Sequence, residues 1–126
     1  MASPVMQFQI LVRQPAEAER FYSELFGWKV DADNPLGYRA IDTGSKRGIQ
    51  GGIWPTPPEA NGFVQLFVEV DDVPAHFAKA LELGAKPIVP PQKLPQGEEL
   101  AILHDTQGIA FGLFKPAKPA SSRSST

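Results

Sequence analysis

Met6-Gln7-Phe8-Gln9-Ile10-Leu11-Val12 and Val64-Gln65-Leu66-Phe67-Val68-Glu69-Val70 are the two stretches on which the fold turns. Side chains of a strand alternate between its faces, so the first places Met6, Phe8, Ile10 and Val12 on one side and Gln7, Gln9 and Leu11 on the other. The second repeats the arrangement, with Val64, Leu66, Val68 and Val70 opposite Gln65, Phe67 and Glu69. Each therefore reads as a strand with one apolar face to bury and one half-polar face.

The segment after each strand is repeated as well. Pro15 sits where a helix opens, because its missing N–H would be an orphan there, and Ala18, Phe21, Tyr22 and Leu25 recur at helical spacing up to Gly27, a C-terminal stop. After the second strand, Asp71 and Asp72 are cap candidates and Pro74 comes early. Val73, Phe77, Ala80 and Leu81 then form the stripe, and Gly84 closes it. Three strand-like segments come after each helix: Trp28 to Asp33, Tyr38 to Thr43 and Ile49 to Trp54, then Lys86 to Val89, Glu99 to His104 and Ile109 to Phe114.

The order is βαβββ twice, an α+β chain. Within each module one amphipathic helix covers the apolar face of the strands, which leaves the glutamine-bearing face to line a cavity. The expected domain spans residues 1–116, with module one at about 5–57 and module two at about 63–116, and the Pro/Ala/Ser-rich segment 117–126 is expected to be a disordered tail.

Composition narrows the function. The 126 residues are 42% hydrophobic and 21% charged, the balance of a single domain with a real core. The 12 basic residues are scattered and the net charge is -2, so no stripe exists for a phosphate backbone and nucleic acid is not an expected partner. No apolar run approaches the roughly 20 residues of a membrane span, and the N-terminus lacks a basic-then-apolar signal, so the expected location is the cytoplasm. The absence of cysteine removes disulfides, thiolate metal sites and cysteine nucleophiles.

Four text fragments carry a family resemblance: Phe21-Tyr22-Ser23-Glu24-Leu25-Phe26-Gly27-Trp28, Gly51-Gly52-Ile53, Val70-Asp71-Asp72-Val73 and Asp105-Thr106-Gln107-Gly108-Ile109-Ala110-Phe111-Gly112-Leu113. In order and spacing they resemble the vicinal oxygen chelate superfamily of glyoxalases, bleomycin-resistance proteins and extradiol dioxygenases. That resemblance implies tandem βαβββ modules forming a curved mixed-sheet cup. It implies, too, that metal-dependent relatives bind a divalent ion through His, Gln or Glu from the first and last strands of each module. Those positions fall here on Gln7 and Gln65, near Gln50, and on Gly112. A divalent ion asks for imidazole or carboxylate donors, so amides and a glycine make a poor cage and no metal or other cofactor is expected.

The same resemblance disfavours two activities. The first-strand arginine that grips glutathione in glyoxalases is matched by Leu11, and the two histidines and glutamate of the dioxygenases meet only His76 and His104, with His76 on the second helix.

Other candidates compete with plainer roles. His104 beside Asp105 has the makings of a base pair, but it stands at a turn. Glu69 lies close to the Asp71 end of its strand, and Asp31, Asp33, Glu98 and Glu99 flank turns as solvated residues. Trp28 reads as packing, whereas Trp54 and Phe67 are candidates to line a pocket. The expectation is a glyoxalase-like protein that binds a small organic molecule in a cup lined by Gln7, Gln9, Gln50, Trp54, Gln65 and Phe67, with no catalytic residue assigned. Three rivals stand beside it. One is a metal-dependent lyase, isomerase or dioxygenase with a weakly held ion completed by Glu69, His104 or a partner chain. Another is a drug-sequestering protein of the bleomycin-resistance kind, and the last is a structural module whose cup is filled by its own side chains. By resemblance the assembly is a homodimer.

Overall fold

The computed structural model describes residues 2–34 and 36–117. Its element order is β1 (Val5–Val12), α1 (Pro15–Phe26), β2 (Lys29–Asp31), β3 (Arg39–Asp42) and β4 (Gln50–Pro55), then β5 (Phe63–Glu69), α2 (Val73–Glu82), β6 (Lys86–Lys93), β7 (Glu99–His104) and β8 (Ala110–Lys115). This is βαβββ twice. The chain divides into two compact units, Met6–Leu66 and, taken together, Met1–Val5 with Phe67–Thr126. The expected tail falls, beyond residue 117, outside the described residues. Among the described residues no helix is long and apolar enough to cross a membrane.

In the first unit the strands run in the order β2-β3-β4-β1. β1 and β4 are parallel while β3 is antiparallel to both β2 and β4, so the sheet is mixed. Register fixes the faces. Phe8 pairs with Gly51 and Ile10 with Ile53, which turns the apolar side of β1 toward a core of Ile10, Ile41 and Ile53, with Ala18, Tyr22 and Trp28 packed on it. α1 opens on Pro15 and closes at Gly27, whose N–H donates to the Ser23 carbonyl at 2.8 Å and whose left-handed φ of 75° then turns the chain out of the helix.

The residues around that cap form a stack. The Trp28 ring lies 5.5 Å from Tyr22, 5.2 Å from Phe26 and 5.8 Å from Phe8. The family text around Gly27 is thus read out as packing. Phe21 and Leu25, expected in the helix stripe, are instead 59% exposed each. Phe21, one position before Tyr22, is rotated by about 100° off the line that Ala18 and Tyr22 turn to the sheet, whereas Leu25, seven positions after Ala18, keeps close to that line but stands in the last turn of the helix.

β5 crosses the division between Leu66 and Phe67, so Phe63–Leu66 belong to the first unit; in the second, from the Phe67 end of β5, the order is β5-β8-β7-β6. Val70, Val73, Ala101, Leu103 and Leu113 are buried, with Phe77, Ala80 and Ala85 packed on them. Asp72 caps α2 by accepting the Ala75 N–H at 3.0 Å. Leu81, expected in this stripe, is 40% exposed. β6 runs on to Lys93, beyond the expected Val89, in spite of Pro90 and Pro91. As the last strand of the order it tolerates missing N–H donors, and its pairing with β7 slips between Pro87 and Val89 and again before Gln92.

β5 departs most from expectation. Val68 and Val70 join the core, but Val64 and Leu66 on the same face are 60% and 48% exposed, while Gln65 and Phe67 on the other face are buried. Alternation holds, and it is the cover that differs. In the first module Trp28, directly after Gly27, packs against Phe8, whereas the residue after Gly84 in the second is Ala85, which carries no ring.

Candidate functional site

On the face of the first unit opposite α1, register aligns Gln7 with Gln50, Gln9 with Gly52 and Leu11 with Trp54. Gln9 is buried, and its Oε1 accepts the phenol O–H of Tyr38 at 2.9 Å. Tyr38 stands just ahead of β3 and reaches Gln9 because Gly52 has no side chain; a Cβ on Gly52 would run into the phenol ring. Beside them the Trp54 indole, 38% exposed, meets the Tyr38 ring at 5.9 Å and 46°. Burial pushes the Tyr38 phenol above its ordinary value, and the Gln9 amide, which can turn its NH2 toward a phenolate, offsets only part of this. The result is an uncharged patch of amide, phenol and indole.

Gln7 is half-buried on the same face. Gln50 is brought beside it by register, yet its Oε1 is committed to the β3–β4 connection, accepting the Thr43 N–H at 2.6 Å and the Thr43 hydroxyl at 3.0 Å. Sequence reasoning alone misses Tyr38. The signal for it is Gly52, a glycine inside a strand, which often marks the close approach of another group.

In the second unit Phe67 repeats this device. Its ring lies over Gly112, where a Cβ would stand 2.7–2.8 Å from three ring carbons, and it meets Phe114 edge-on at 6.3 Å. Aligning Gly48-Ile49-Gln50-Gly51-Gly52 with Gly108-Ile109-Ala110-Phe111-Gly112 makes Gly52 and Gly112 counterparts, each under an aromatic ring.

Glu69 and His104 are exposed. Asp105 is committed to the β7–β8 turn, its Oδ1 accepting N–H groups of Ile109 at 2.9 Å and Gln107 at 2.8 Å. Those bonds hold its carboxyl below the usual range, and the charge of His104 adds a smaller effect. The late family text is therefore a turn closed by an aspartate, with Gly108 at φ 84°.

Comparison with known proteins bears on the family and the fold. The sequence model of the glyoxalase-like domain family matches residues 7–114. The chain belongs to that family. Among curated proteins it is 29% identical over 112 residues to "Putative glyoxylase CFP32" of Mycobacterium tuberculosis and of Mycobacterium bovis. The match covers 86% of this chain but 42% of each relative, so the glyoxalase-like chain spans less than half their length. Among solved structures it resembles a hypothetical protein of Bacillus halodurans (TM-score 0.71, 15% identity, 97% of this chain and 100% of that one). It also resembles methylmalonyl-CoA epimerase of Mycobacterium tuberculosis (TM-score 0.65, 15% identity, 92% of this chain and 89% of that one). At such identities the likeness is one of fold, that of the vicinal oxygen chelate superfamily.

The residues of this glyoxalase-like chain do not suit the divalent ion that the family resemblance implies for metal-dependent members of the superfamily. Among the described residues no group of three or more His, Cys, Asp and Glu side chains is placed to hold a metal ion. Of the last-strand positions, Gln50 is bonded to Thr43 and Gly112 lies under Phe67. Neutral amides neither match the donor strength of imidazole or carboxylate nor offset the desolvation of the ion.

Proposed function

We propose that the glyoxalase-like chain binds a small uncharged organic molecule on its amide and aromatic face without a metal ion, with Gln7, Gln9, Tyr38 and Trp54 as the contacts. The observation that carries this reading is the Gln9–Tyr38 hydrogen bond beside a partly exposed Trp54. It takes up the Gln9 carbonyl and leaves the amide N–H2 as a donor, while burial keeps the phenol neutral. A patch with no charge offers no compensation for stripping water from an ion, which favours neutral ligands with a planar body and a hydrogen-bond acceptor. Within this proposal the chain acts as a homodimer in the cytoplasm.

The test begins with metal analysis by mass spectrometry on protein purified without chelator or nickel resin, followed by melting curves with added Zn2+, Mn2+ and Ni2+. Ligand binding raises stability by mass action, so the expected result is no bound metal and no shift with any of the ions. Benzamide, a neutral planar carboxamide, is expected to quench the emission of Trp54 in the same preparation, and Trp54→Phe is expected to abolish the change. A stoichiometric ion would instead revive the metal-dependent lyase or dioxygenase reading and overturn this one.

A further inference from the structure

The side of the first-unit sheet that α1 covers is left partly open. A recess of about 500 Å³ faces solvent there, lined by Phe8, Ile10, Trp28, Thr43, Ile49 and Val64 and by Ser45 and Gly48 of the β3–β4 connection. This is the opposite face from Gln9, since Phe8 and Ile10 alternate with Gln7 and Gln9 along β1. Its volume falls in the roughly 300–1,000 Å³ range of small-molecule sites.

The lining dictates what the interior accepts. Phe8 lies against Gly51, where a Cβ would meet its ring, and stands 5.8 Å from Trp28 at 48°. Ile49 and Val64 remain 40% and 60% exposed. Thr43 Oγ1 spends its proton on Gln50 Oε1 at 3.0 Å, while Ser45 Oγ accepts the Arg47 N–H at 3.0 Å and keeps its own O–H. Apart from that hydroxyl on the β3–β4 connection, the side chains lining the recess favour an apolar group.

The connection that borders the recess carries the opposite chemistry. Ser45 and Gly48 line the recess, and the two residues between them are Lys46 and Arg47, both exposed and neither in an ion pair among the described residues. An apolar interior beside two unneutralised cations matches a ligand with an apolar body and an anionic end. We propose that this recess is a second ligand site, for an amphiphilic organic anion whose ring or short acyl chain lies between Trp28 and Val64 and whose carboxylate or sulfonate meets Lys46 and Arg47.

The probe is 8-anilinonaphthalene-1-sulfonate, titrated into the full chain at low salt. Trp54→Phe serves as the background so that Trp28, the other of the chain's 2 tryptophans, reports proximity by energy transfer. Saturable binding with loss of Trp28 emission is expected, with an affinity equal to that of the unmodified chain, which separates this site from the one around Trp54. Val64→Glu is expected to weaken binding at least tenfold, and Ile49→Glu serves as the second probe should that variant not fold. Lys46→Ser with Arg47→Ser is expected to weaken binding at least fivefold, while the uncharged N-phenyl-1-naphthylamine binds as before. Decanoate is expected to displace the dye. Near-UV circular dichroism checks that each variant is folded. Absence of saturable binding, dye that decanoate does not displace, or full affinity in a folded Val64→Glu or Ile49→Glu variant would each overturn the proposal.

Discussion

Among the described residues, the Tyr38 phenol and the Asp105 carboxyl are the groups whose titration the fold shifts, and they act at opposite ends of the pH scale. The folded-state value of Tyr38 is raised by burial, so its contribution to stability is complete below the ordinary phenol value of about 10 and is lost as pH rises through the folded value. The melting temperature of the wild-type chain is expected to fall through that alkaline range. Tyr38→Phe should flatten the alkaline fall while lowering stability at neutral pH by about 1–3 kcal/mol, because Gln9 Oε1 loses its partner in a buried place. Asp105 has the reverse sign. Its folded value is depressed, so its contribution is present above the unfolded carboxyl value and disappears as pH falls through the folded one. Melting curves taken from neutral pH to about pH 3 should show an acid-side loss that Asp105→Ala reduces, and a persistent loss of the same size in that variant would contradict the role of the turn bonds.

The two helices show how far local signals reach and where they stop. Pro15, Gly27, Asp72 and Gly84 are readable as starts and stops because caps depend on a few adjacent residues. The caps are nonetheless unequal: Asp72 accepts the Ala75 N–H, whereas Gln14, ahead of α1, makes no side-chain cap. Asp72→Ala is expected to lower stability by about 1 kcal/mol, and Gln14→Ser to raise it by up to about that amount, as read from urea unfolding midpoints. Equal and negligible effects at the two positions would mean that tertiary packing alone holds the helix starts. The faces of the helices are less readable. An apolar residue can be assigned to a stripe from spacing, but whether Phe21, Leu25 and Leu81 are covered depends on how far the surface beneath extends, and all three are exposed.

At the scale of the molecule each unit has its own apolar core, and the two largest fully buried aliphatic side chains are Ile53 in one and Leu103 in the other, at 1% and 0% exposure. Ile53→Ala and Leu103→Ala are each expected to remove about 2–5 kcal/mol from a total of roughly 5–15, measured by urea unfolding. A small effect at either site would mean that its unit collapses around the cavity. The candidate site is legible in kind and only partly in detail. Gln7, Gln9 and Trp54 can be placed on one face by alternation, but the commitment of Gln50 to Thr43 and the arrival of Tyr38 over Gly52 cannot be read from spacing. The sequence by itself determined the doubled βαβββ order, the helix ends and the faces of β1, because these rest on periodicities and residue chemistry that act over a few neighbours. Only the tertiary structure decided that Gln9 is bonded to a tyrosine 29 residues away, that rings lie over Gly52 and Gly112, and that Val64 and Leu66 are left bare. Those outcomes depend on strand register and on which bulky side chain is at hand to cover which surface, and both are set by contacts between segments far apart in the chain.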